Sequence, residues 1–114
     1  MHELSLATAV VDTVIRHARE NRVEQVNLKV GRLRQVVPDS LDFYFGLVTR
    51  GTLCEGARLV QEVIAACVSC ESCSHIWEPE LPVFRCPRCN GGRTVVLAGE
   101  EFEVDTILLQ EVEA

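Results

Sequence analysis

The sequence predicts an α+β fold, with two helices on a small three-stranded sheet and an inserted cysteine-rich module that carries two C-x-x-C knuckles. Apolar residues recur at helical spacing in two segments and at strand spacing in three others. Five of the six cysteines lie within residues 67–97. A length of 114 residues, 47% hydrophobic and 25% charged, fits one ordinary globular domain or two very small ones.

Both helices are predicted from apolar residues at three- and four-residue steps. Residues 4–20 form the first, with Ser5 as its N-cap. Pro38 opens the second, because proline is tolerated in a first turn, and Gly51 marks its end. The apolar stripe of the second helix consists of Leu41, Tyr44, Phe45 and Val48.

Three segments are predicted as strands. Residues 26–31 alternate between apolar and polar side chains, which is typical of a half-buried strand. Residues 59–66 carry apolar side chains on both faces, which indicates a central or covered strand. The last strand, 102–109, is too apolar to stand free, so we expect it to return to the same sheet. The predicted domains are therefore 1–66 with 98–114, and an inserted domain at 67–97.

The inserted domain is predicted to hold a structural metal. Cys70 and Cys73 form one C-x-x-C motif and Cys86 and Cys89 another, with twelve residues between them. A tight turn directs both sulfurs of a motif to one point, and four thiolates complete the tetrahedral shell of structural Zn(II). About thirty residues cannot bury enough apolar surface to fold without such support. A closed zinc-ribbon-like site has no open coordination position, so we predict no catalysis.

Other chemistries for these thiols stay open at this point. A redox dithiol needs only one C-x-x-C pair, and a rubredoxin-like iron could occupy the same four thiolates. Cys67, Cys70 and Cys73 repeat at a ferredoxin-like spacing, although Trp77 stands where the fourth cysteine is required. Cys67 also forms a C-x-x-C with Cys70. We favour the register with Cys73, which lies nearer a turn.

The remaining cysteines and one histidine have less defined roles. Cys54 and Cys67 are interpreted as small apolar residues of the core or its edge. His75 is either a solvated loop histidine or a partner of a zinc-bound sulfur. Gly91, just after the second knuckle, is predicted to permit a tight return of the chain.

Charge limits the classes of partner. A net charge of −6 disfavours a general nucleic-acid binder, because phosphate binding needs clustered positive charge. The alternative function is nevertheless a zinc-ribbon module that binds nucleic acid or a protein assembly, since Arg85, Arg88 and Arg93 surround the second knuckle. No apolar run is long enough for a membrane span and no export signal is present, so we expect a cytoplasmic location.

The tripeptide Met1-His2-Glu3 is a second candidate metal site. An α-amine, the backbone nitrogen of His2 and the imidazole Nδ1 can chelate one ion in a plane, which suits Ni(II) or Cu(II). Glu3 or an outside ligand would supply the fourth position. A planar site with only three protein ligands binds the metal but also lets it leave, as delivery to another protein requires. His17, off the apolar stripe of the first helix, is interpreted as solvated.

These features together resemble the HypA/HybF family of hydrogenase-maturation nickel chaperones, over essentially the whole chain. The resemblance is carried by Met1-His2-Glu3-Leu4-Ser5, by Gly51-Thr52 with Glu55-Gly56-Ala57 and Leu59, and by the two knuckles. It implies a nickel-binding α/β domain with Met1, His2 and Glu3 at the nickel site, and a zinc domain with Cys70, Cys73, Cys86 and Cys89 as ligands.

The resemblance also implies partners. These are a HypB-type GTPase and the large subunit of [NiFe]-hydrogenase, and certain relatives also serve urease. We expect a monomer or a weak homodimer that does not bind nucleic acid. Some members place a histidine beside each knuckle; His75 fits the first, but Asn90 follows the second.

Overall fold

The computed structural model describes residues 2–80 and 84–110, and its architecture confirms the α+β prediction. The described strands form two three-stranded sheets, ordered β2-β1-β6 and β4-β3-β5. The elements are α1 (His2–Ala18), β1 (Val23–Gly31), a 3₁₀ helix (Arg32–Arg34), α2 (Pro38–Val48), β2 (Arg58–Ile64), β3 (Cys67–Cys70), β4 (Ile76–Trp77), β5 (Thr94–Ala98) and β6 (Phe102–Leu109).

The chain divides into two compact units. The first lies within Met1–Lys29, Val36–Glu62 and Glu103–Ala114, and the second within Val30–Gln35 and Val63–Phe102. The predicted domains, 1–66 with 98–114 and 67–97, remain a prediction, because compactness does not show which part of the chain folds independently. Among the described residues, no helix has both the length and the apolar character needed to cross a bilayer.

Helix α1 packs against α2 in the first unit and buries most of its apolar stripe, although Leu4 at its start is exposed. It begins at His2 and ends at Ala18, so the predicted range 4–20 is displaced and Ser5 is not its N-cap. Glu3 is favourable in the first turn, where the helix dipole is positive. Arg19 and Glu20 end the helix because both adopt left-handed conformations, with φ of 50° and 70°.

Helix α2 begins at Pro38, as predicted, after Val37 in an extended conformation. It buries Leu41 and Phe45 from the predicted stripe. Gly51 follows the end of the helix with a φ of 75°, which glycine adopts without steric cost. The core of the first unit therefore joins the apolar stripes of both helices to the buried face of β1.

Strand β1, and not β2, is central in the first sheet. Its alternation is confirmed, because Val26, Leu28 and Val30 are buried. The prediction that residues 59–66 form a central or covered strand is wrong: β2 lies at the sheet edge and leaves Val60 and Val63 exposed. Apolar side chains on both faces do not require coverage, since much of any folded surface is apolar. Strand β6 returns to the sheet beside β1, as predicted.

The second unit is built around β3, which pairs antiparallel with both β4 and β5. Val68 lies opposite Trp77 on one side and Val96 on the other, and its side chain is fully buried. The register shifts between Cys67 and Val68. This small sheet places Cys70 at the end of its central strand, where the first knuckle begins.

Two glycines in the second unit allow a close approach of the backbone. The N–H of Gly31 donates to the carbonyl of Glu101 at 2.6 Å, and the N–H of Leu33 donates to the carbonyl of Gly99 at 2.8 Å. A Cβ on Gly31 would overlap the backbone carbonyl of Gly99, which itself has a φ of +111°. Only a backbone shift could relieve that overlap.

We expect Gly31→Ala to lower the free energy of unfolding by about 3 kcal/mol, because the added methyl group meets rigid backbone. The matched control is Gly46→Ala in α2, where an added Cβ meets nothing within 4 Å. This control should raise helix stability by up to about 1 kcal/mol. Urea unfolding of the zinc-loaded variants, followed by circular dichroism, measures both effects. Unchanged stability of Gly31→Ala would contradict the close approach.

Candidate metal centres

Four cysteine sulfurs converge in the second unit. The Sγ atoms of Cys70, Cys73, Cys86 and Cys89 all lie within 4.8 Å of one another. Cys70 and Cys86 are buried, whereas Cys73 and Cys89 reach the surface. The structure thus brings together the four cysteines that the two C-x-x-C motifs single out.

The two knuckles have the same backbone hydrogen bonds. In the first, the N–H of Cys70 donates to the carbonyl of His75 at 2.8 Å, and the N–H of Ser74 donates back to Cys70 at 2.9 Å. In the second, the N–H of Cys86 donates to the carbonyl of Gly91 at 3.0 Å, and the N–H of Asn90 donates back to Cys86 at 2.8 Å. Each knuckle is therefore closed by its own backbone within six residues.

The same position of each knuckle is left-handed. Ser74 has a φ of 64° and Asn90 a φ of 62°. The tight return predicted for Gly91 therefore occurs one residue earlier, at Asn90. Asparagine tolerates this conformation better than most residues, because its short polar side chain hydrogen-bonds locally.

The sulfur positions fit a tetrahedral metal ion. The Sγ atoms of Cys70 and Cys89 lie 3.6 Å apart, as do those of Cys73 and Cys86. Ligands at the Zn–S bond length form a tetrahedron with edges of about 3.8 Å. All four cysteines are free thiols, and the sulfur separations far exceed a disulfide bond. This donor set matches a closed structural site for a soft divalent cation.

The four thiols of the cluster do not share one pKa. The backbone N–H of Cys73 is the strongest influence on Cys70 and lowers the pKa of its thiol to about 7. The N–H of Gly91 acts in the same direction on Cys89, but the neighbouring sulfurs and burial together raise the pKa of that thiol to about 12. Four thiolates at this spacing repel one another unless a cation neutralises them. Metal binding at this cluster therefore displaces protons and weakens as the pH falls.

Gly91 is required by the sulfur cluster and not by the conformation of the turn. A Cβ at this position would lie 3.2 Å from the Sγ of Cys89, 3.4 Å from the Oγ of Ser72 and 3.7 Å from the Sγ of Cys70. The first of these distances is shorter than ordinary contact between carbon and sulfur. A side chain at Gly91 would crowd the Sγ atom of Cys89 and would be in ordinary contact with that of Cys70.

The other cysteines lie outside this cluster. Cys54 is fully buried, as predicted for a small core residue, and burial raises the pKa of its thiol. Cys67 is half-buried in β3 and pairs with Ala98. Among the described residues, the ferredoxin-like set that includes Cys67 does not form a metal-binding group.

His75 lies in the loop just before β4 and is half-buried. Its ring stacks on the ring of Trp77, with centroids 5.8 Å apart and an interplanar angle of 9°. The interpretation of a loop histidine is therefore confirmed for its place in the chain, but full exposure to solvent is wrong. Trp77 covers one face of the imidazole, which accounts for the partial burial.

The N-terminal site begins at the first residue of α1. The Nε2 atom of His2 lies 2.8 Å from the Oε2 atom of Glu3. The His2 side chain is 54% exposed, whereas the Glu3 side chain is only 13% exposed. Oε2 of Glu3 is buried and has no hydrogen bond of acceptable geometry in the described residues. A buried oxygen in this state favours a cation or a charged donor beside it. Met1 lies outside the described residues.

His17, near the other end of α1, is exposed, as predicted. Its Nδ1 atom lies 2.8 Å from the carbonyl of Thr13 and donates to it. This histidine therefore has a local backbone partner and lies far along the helix from His2.

The fold and the sulfur cluster define a small metal-binding protein, and comparison with known proteins gives its family. The family described as "Hydrogenase/urease nickel incorporation, metallochaperone, hypA" matches residues 1–109. The hydrogenase maturation factor HypA of Chlorobium limicola is 41% identical over 114 residues, which cover 97% of this chain and 98% of that protein. The corresponding factor of Streptomyces avermitilis is 40% identical over 112 residues, 94% of this chain and 86% of that protein.

The chain therefore belongs to the HypA family of nickel-incorporation metallochaperones, which handle a metal and are not a family of catalytic enzymes. The resemblance found in the sequence motifs is confirmed. The solution structure of the Ni metallochaperone HypA from Helicobacter pylori superposes with a TM-score of 0.69 and covers 96% of this chain and 97% of that chain. Identity to it is 20%, so this match shows a shared fold.

We expect Gly91→Ala to weaken binding of zinc about tenfold, because its methyl group crowds the Sγ atom of Cys89. Gly92→Ala is the matched control, since a Cβ on the next residue meets nothing within 4 Å. Competition against a coloured zinc chelator measures both affinities. Equal affinities for the two variants would show that the cluster has room that the structure does not indicate.

Proposed function

We propose that this protein binds Ni(II) at its N-terminus and delivers it during maturation of [NiFe]-hydrogenase, while Zn(II) on the four cysteines supports the second unit. Membership of the HypA family supports the general role. The observation that carries the site assignment is the buried Oε2 atom of Glu3, without a satisfactory hydrogen bond and 2.8 Å from the imidazole of His2.

The proposed nickel donors are the amine of Met1, the backbone nitrogen of His2 and the Nδ1 atom of its ring. The start of α1 at His2 supports this set, because N–H groups in a first helical turn have no partner within the helix. The backbone nitrogen of His2 is therefore not committed to a helical hydrogen bond. Three nitrogen donors in a plane suit Ni(II).

Glu3 is proposed to orient the imidazole of His2. If Nδ1 binds the metal, Nε2 is free to donate, and the Oε2 atom of Glu3 lies 2.8 Å from it. A carboxylate behind a metal-bound histidine fixes the ring tautomer and raises the basicity of the ligand. To serve instead as the fourth ligand, the carboxylate of Glu3 would have to leave Nε2, because the two nitrogens of the imidazole ring point in different directions.

Zinc is proposed for the sulfur cluster, because four thiolates at tetrahedral separations leave no open position. Such a site supplies folding energy and no chemistry. We therefore assign transfer of nickel to the N-terminal site and a structural role to the cysteines.

The proposed partners follow from the family. A HypB-type GTPase would act with this protein, and the large subunit of [NiFe]-hydrogenase would receive the nickel. The family description covers urease as well as hydrogenase, so urease accessory proteins are a second proposed set of recipients. Free cysteines support a reducing compartment, and we propose the cytoplasm.

The nucleic-acid alternative receives no support from the second knuckle. Arg85 donates from Nη1 to the carbonyl of Asn90 at 3.3 Å, so its guanidinium contacts its own knuckle. The net charge of −6 also opposes a phosphate-binding role. The chaperone is the better proposal.

We expect His2→Ala to abolish stoichiometric nickel binding and to leave zinc content unchanged. The substitution removes the ring donor but none of the cysteines. His17→Ala is the matched control, because this exposed histidine near the other end of α1 hydrogen-bonds to the carbonyl of Thr13 in its own helix. Calorimetry with Ni(II), together with metal analysis, distinguishes the two variants. Retained nickel affinity in His2→Ala would place the ion elsewhere.

Glu3→Gln should weaken nickel binding by about 10- to 100-fold, which is less than the effect of His2→Ala. Glutamine keeps the size of the side chain but loses the negative charge beside the imidazole. Calorimetric titration at one pH and one buffer composition measures the difference. A loss as complete as that of His2→Ala would instead assign Glu3 as an indispensable ligand.

A further inference from the structure

The second knuckle ends in a chemically labile dipeptide. Asparagine is a thermolabile residue, and Asn90-Gly91 is the one place in the chain where glycine follows an asparagine. Glycine has no Cβ to keep its backbone nitrogen away from the preceding side chain, so this nitrogen can approach the side-chain amide of Asn90 closely. The other asparagines precede larger residues, Asn21 before Arg22 and Asn27 before Leu28.

Hydrogen bonds of the folded knuckle hold this dipeptide. The N–H of Asn90 donates to the carbonyl of Cys86 at 2.8 Å, and the Nη1 atom of Arg85 donates to the carbonyl of Asn90 at 3.3 Å. The N–H of Cys86 donates to the carbonyl of Gly91 at 3.0 Å, and the N–H of Gly91 donates to the sulfur of Cys89. Both sides of the peptide bond between Asn90 and Gly91 are therefore fixed by the knuckle itself.

The folded conformation also keeps two atoms of this dipeptide apart, the Cγ atom of Asn90 and the backbone nitrogen of Gly91. Asn90 is left-handed, with a φ of 62°. In this region φ and ψ are both positive, which turns the nitrogen of Gly91 to the side of the Cα–C bond opposite the Asn90 side chain. Ring closure between these atoms needs that nitrogen on the same side as the side chain. Because Asn90 is exposed, it is protected by backbone conformation and not by burial.

This protection depends on the sulfur cluster. The N–H of Gly91 donates to the sulfur of Cys89, and a hydrogen bond to a charged acceptor is stronger than one to a neutral thiol. A thiolate held by a cation therefore fixes the nitrogen of Gly91 more firmly. Without a cation the second unit has little buried apolar surface to keep it closed, so the knuckle opens more often.

We propose that Asn90 is a site of spontaneous deamidation that the metal ion on the four cysteines suppresses, so that prolonged loss of the ion becomes irreversible. This inference rests on the proposed zinc site. The backbone nitrogen of Gly91 attacks the Cγ atom of Asn90 and forms a C–N bond. The side-chain nitrogen leaves as ammonia with the proton from Gly91, which gives a succinimide. Water then opens the ring at one of its two carbonyls and leaves aspartate or isoaspartate.

Isoaspartate is the product that damages the knuckle. It routes the main chain through the former side chain, which adds one methylene group between Cys89 and Gly91. The bond from the N–H of Cys86 to the carbonyl of Gly91 and the bond from the N–H of Gly91 to the sulfur of Cys89 cannot then both keep their present geometry. Aspartate keeps the length of the main chain and tolerates the left-handed conformation, so it leaves the knuckle intact.

The test compares the zinc-loaded full chain with the same protein kept in a strong chelator and a thiol reductant. Both samples are incubated in warm, mildly alkaline buffer, and peptide mass spectrometry with chromatographic separation follows aspartate and isoaspartate at each asparagine. Conversion of Asn90 should be at least about tenfold faster in the chelator, because the reaction proceeds from the opened knuckle. Asn21 and Asn27 are internal controls that should convert far more slowly than Asn90 in the chelator.

Return of zinc to the incubated samples tests the consequence. The fraction of wild-type protein that rebinds zinc should fall as isoaspartate accumulates. Asn90→Gly is the matched control, because glycine adopts a positive φ without steric cost and has no amide to lose. This variant should rebind zinc fully after the same incubation. Asn90→Asp should also bind zinc, since its main chain has the original length.

Three outcomes would overturn the proposal. The first is an equal rate of conversion at Asn90 with and without zinc, and the second is a rate in the chelator no faster than that of Asn21. The third is full rebinding of zinc by chains that carry isoaspartate. Metal analysis of the loaded protein tests the zinc proposal separately, because another divalent ion on the same four sulfurs should protect Asn90 equally.

Discussion

The second unit depends on the meeting of four sulfur atoms. Among its described residues, few apolar side chains are buried, chiefly Val30, Ala66 and Val68, and the sulfurs of Cys70 and Cys86 add to this small core. Such a core cannot offset the conformational entropy of ordering about forty residues. The cation proposed for the four sulfurs would supply the stabilisation that the small sheet and both knuckles lack.

The same convergence accounts for sequence features that look unrelated. A side chain at Gly91 would crowd the Sγ atom of Cys89, and Asn90 suits a position whose backbone is left-handed. The thiol pKa values range from about 7 at Cys70, where the backbone N–H of Cys73 lowers the pKa most, to about 12 at Cys89, where neighbouring sulfurs and burial raise it against the N–H of Gly91. A cation removes that conflict and makes the packing favourable.

The features that could be predicted from the sequence are those that hydrophobic periodicity and cysteine spacing determine. Alternation identified β1, apolar stripes identified both helices, and the C-x-x-C pairs singled out the four converging cysteines. Strand order was not encoded: β2 has the composition of a covered strand but lies at an edge. The turn at Asn90, the stacking of His75 and the start of α1 depend on backbone geometry and tertiary contacts. The N-terminal site was suggested by its residues, but the buried oxygen of Glu3 is visible only in three dimensions.

The separate backbone closure of each knuckle has a kinetic consequence. Neither knuckle depends on the other for the backbone hydrogen bonds that close it. Each knuckle would therefore present its two sulfurs to a metal ion independently. Metal loading would then proceed through a half-ligated state, in which two sulfurs of one knuckle hold the ion until the two sulfurs of the other knuckle bind it. Removal by a competing chelator would follow the reverse route and free one pair of sulfurs at a time, and the small sheet would lose its support only when the second pair is released.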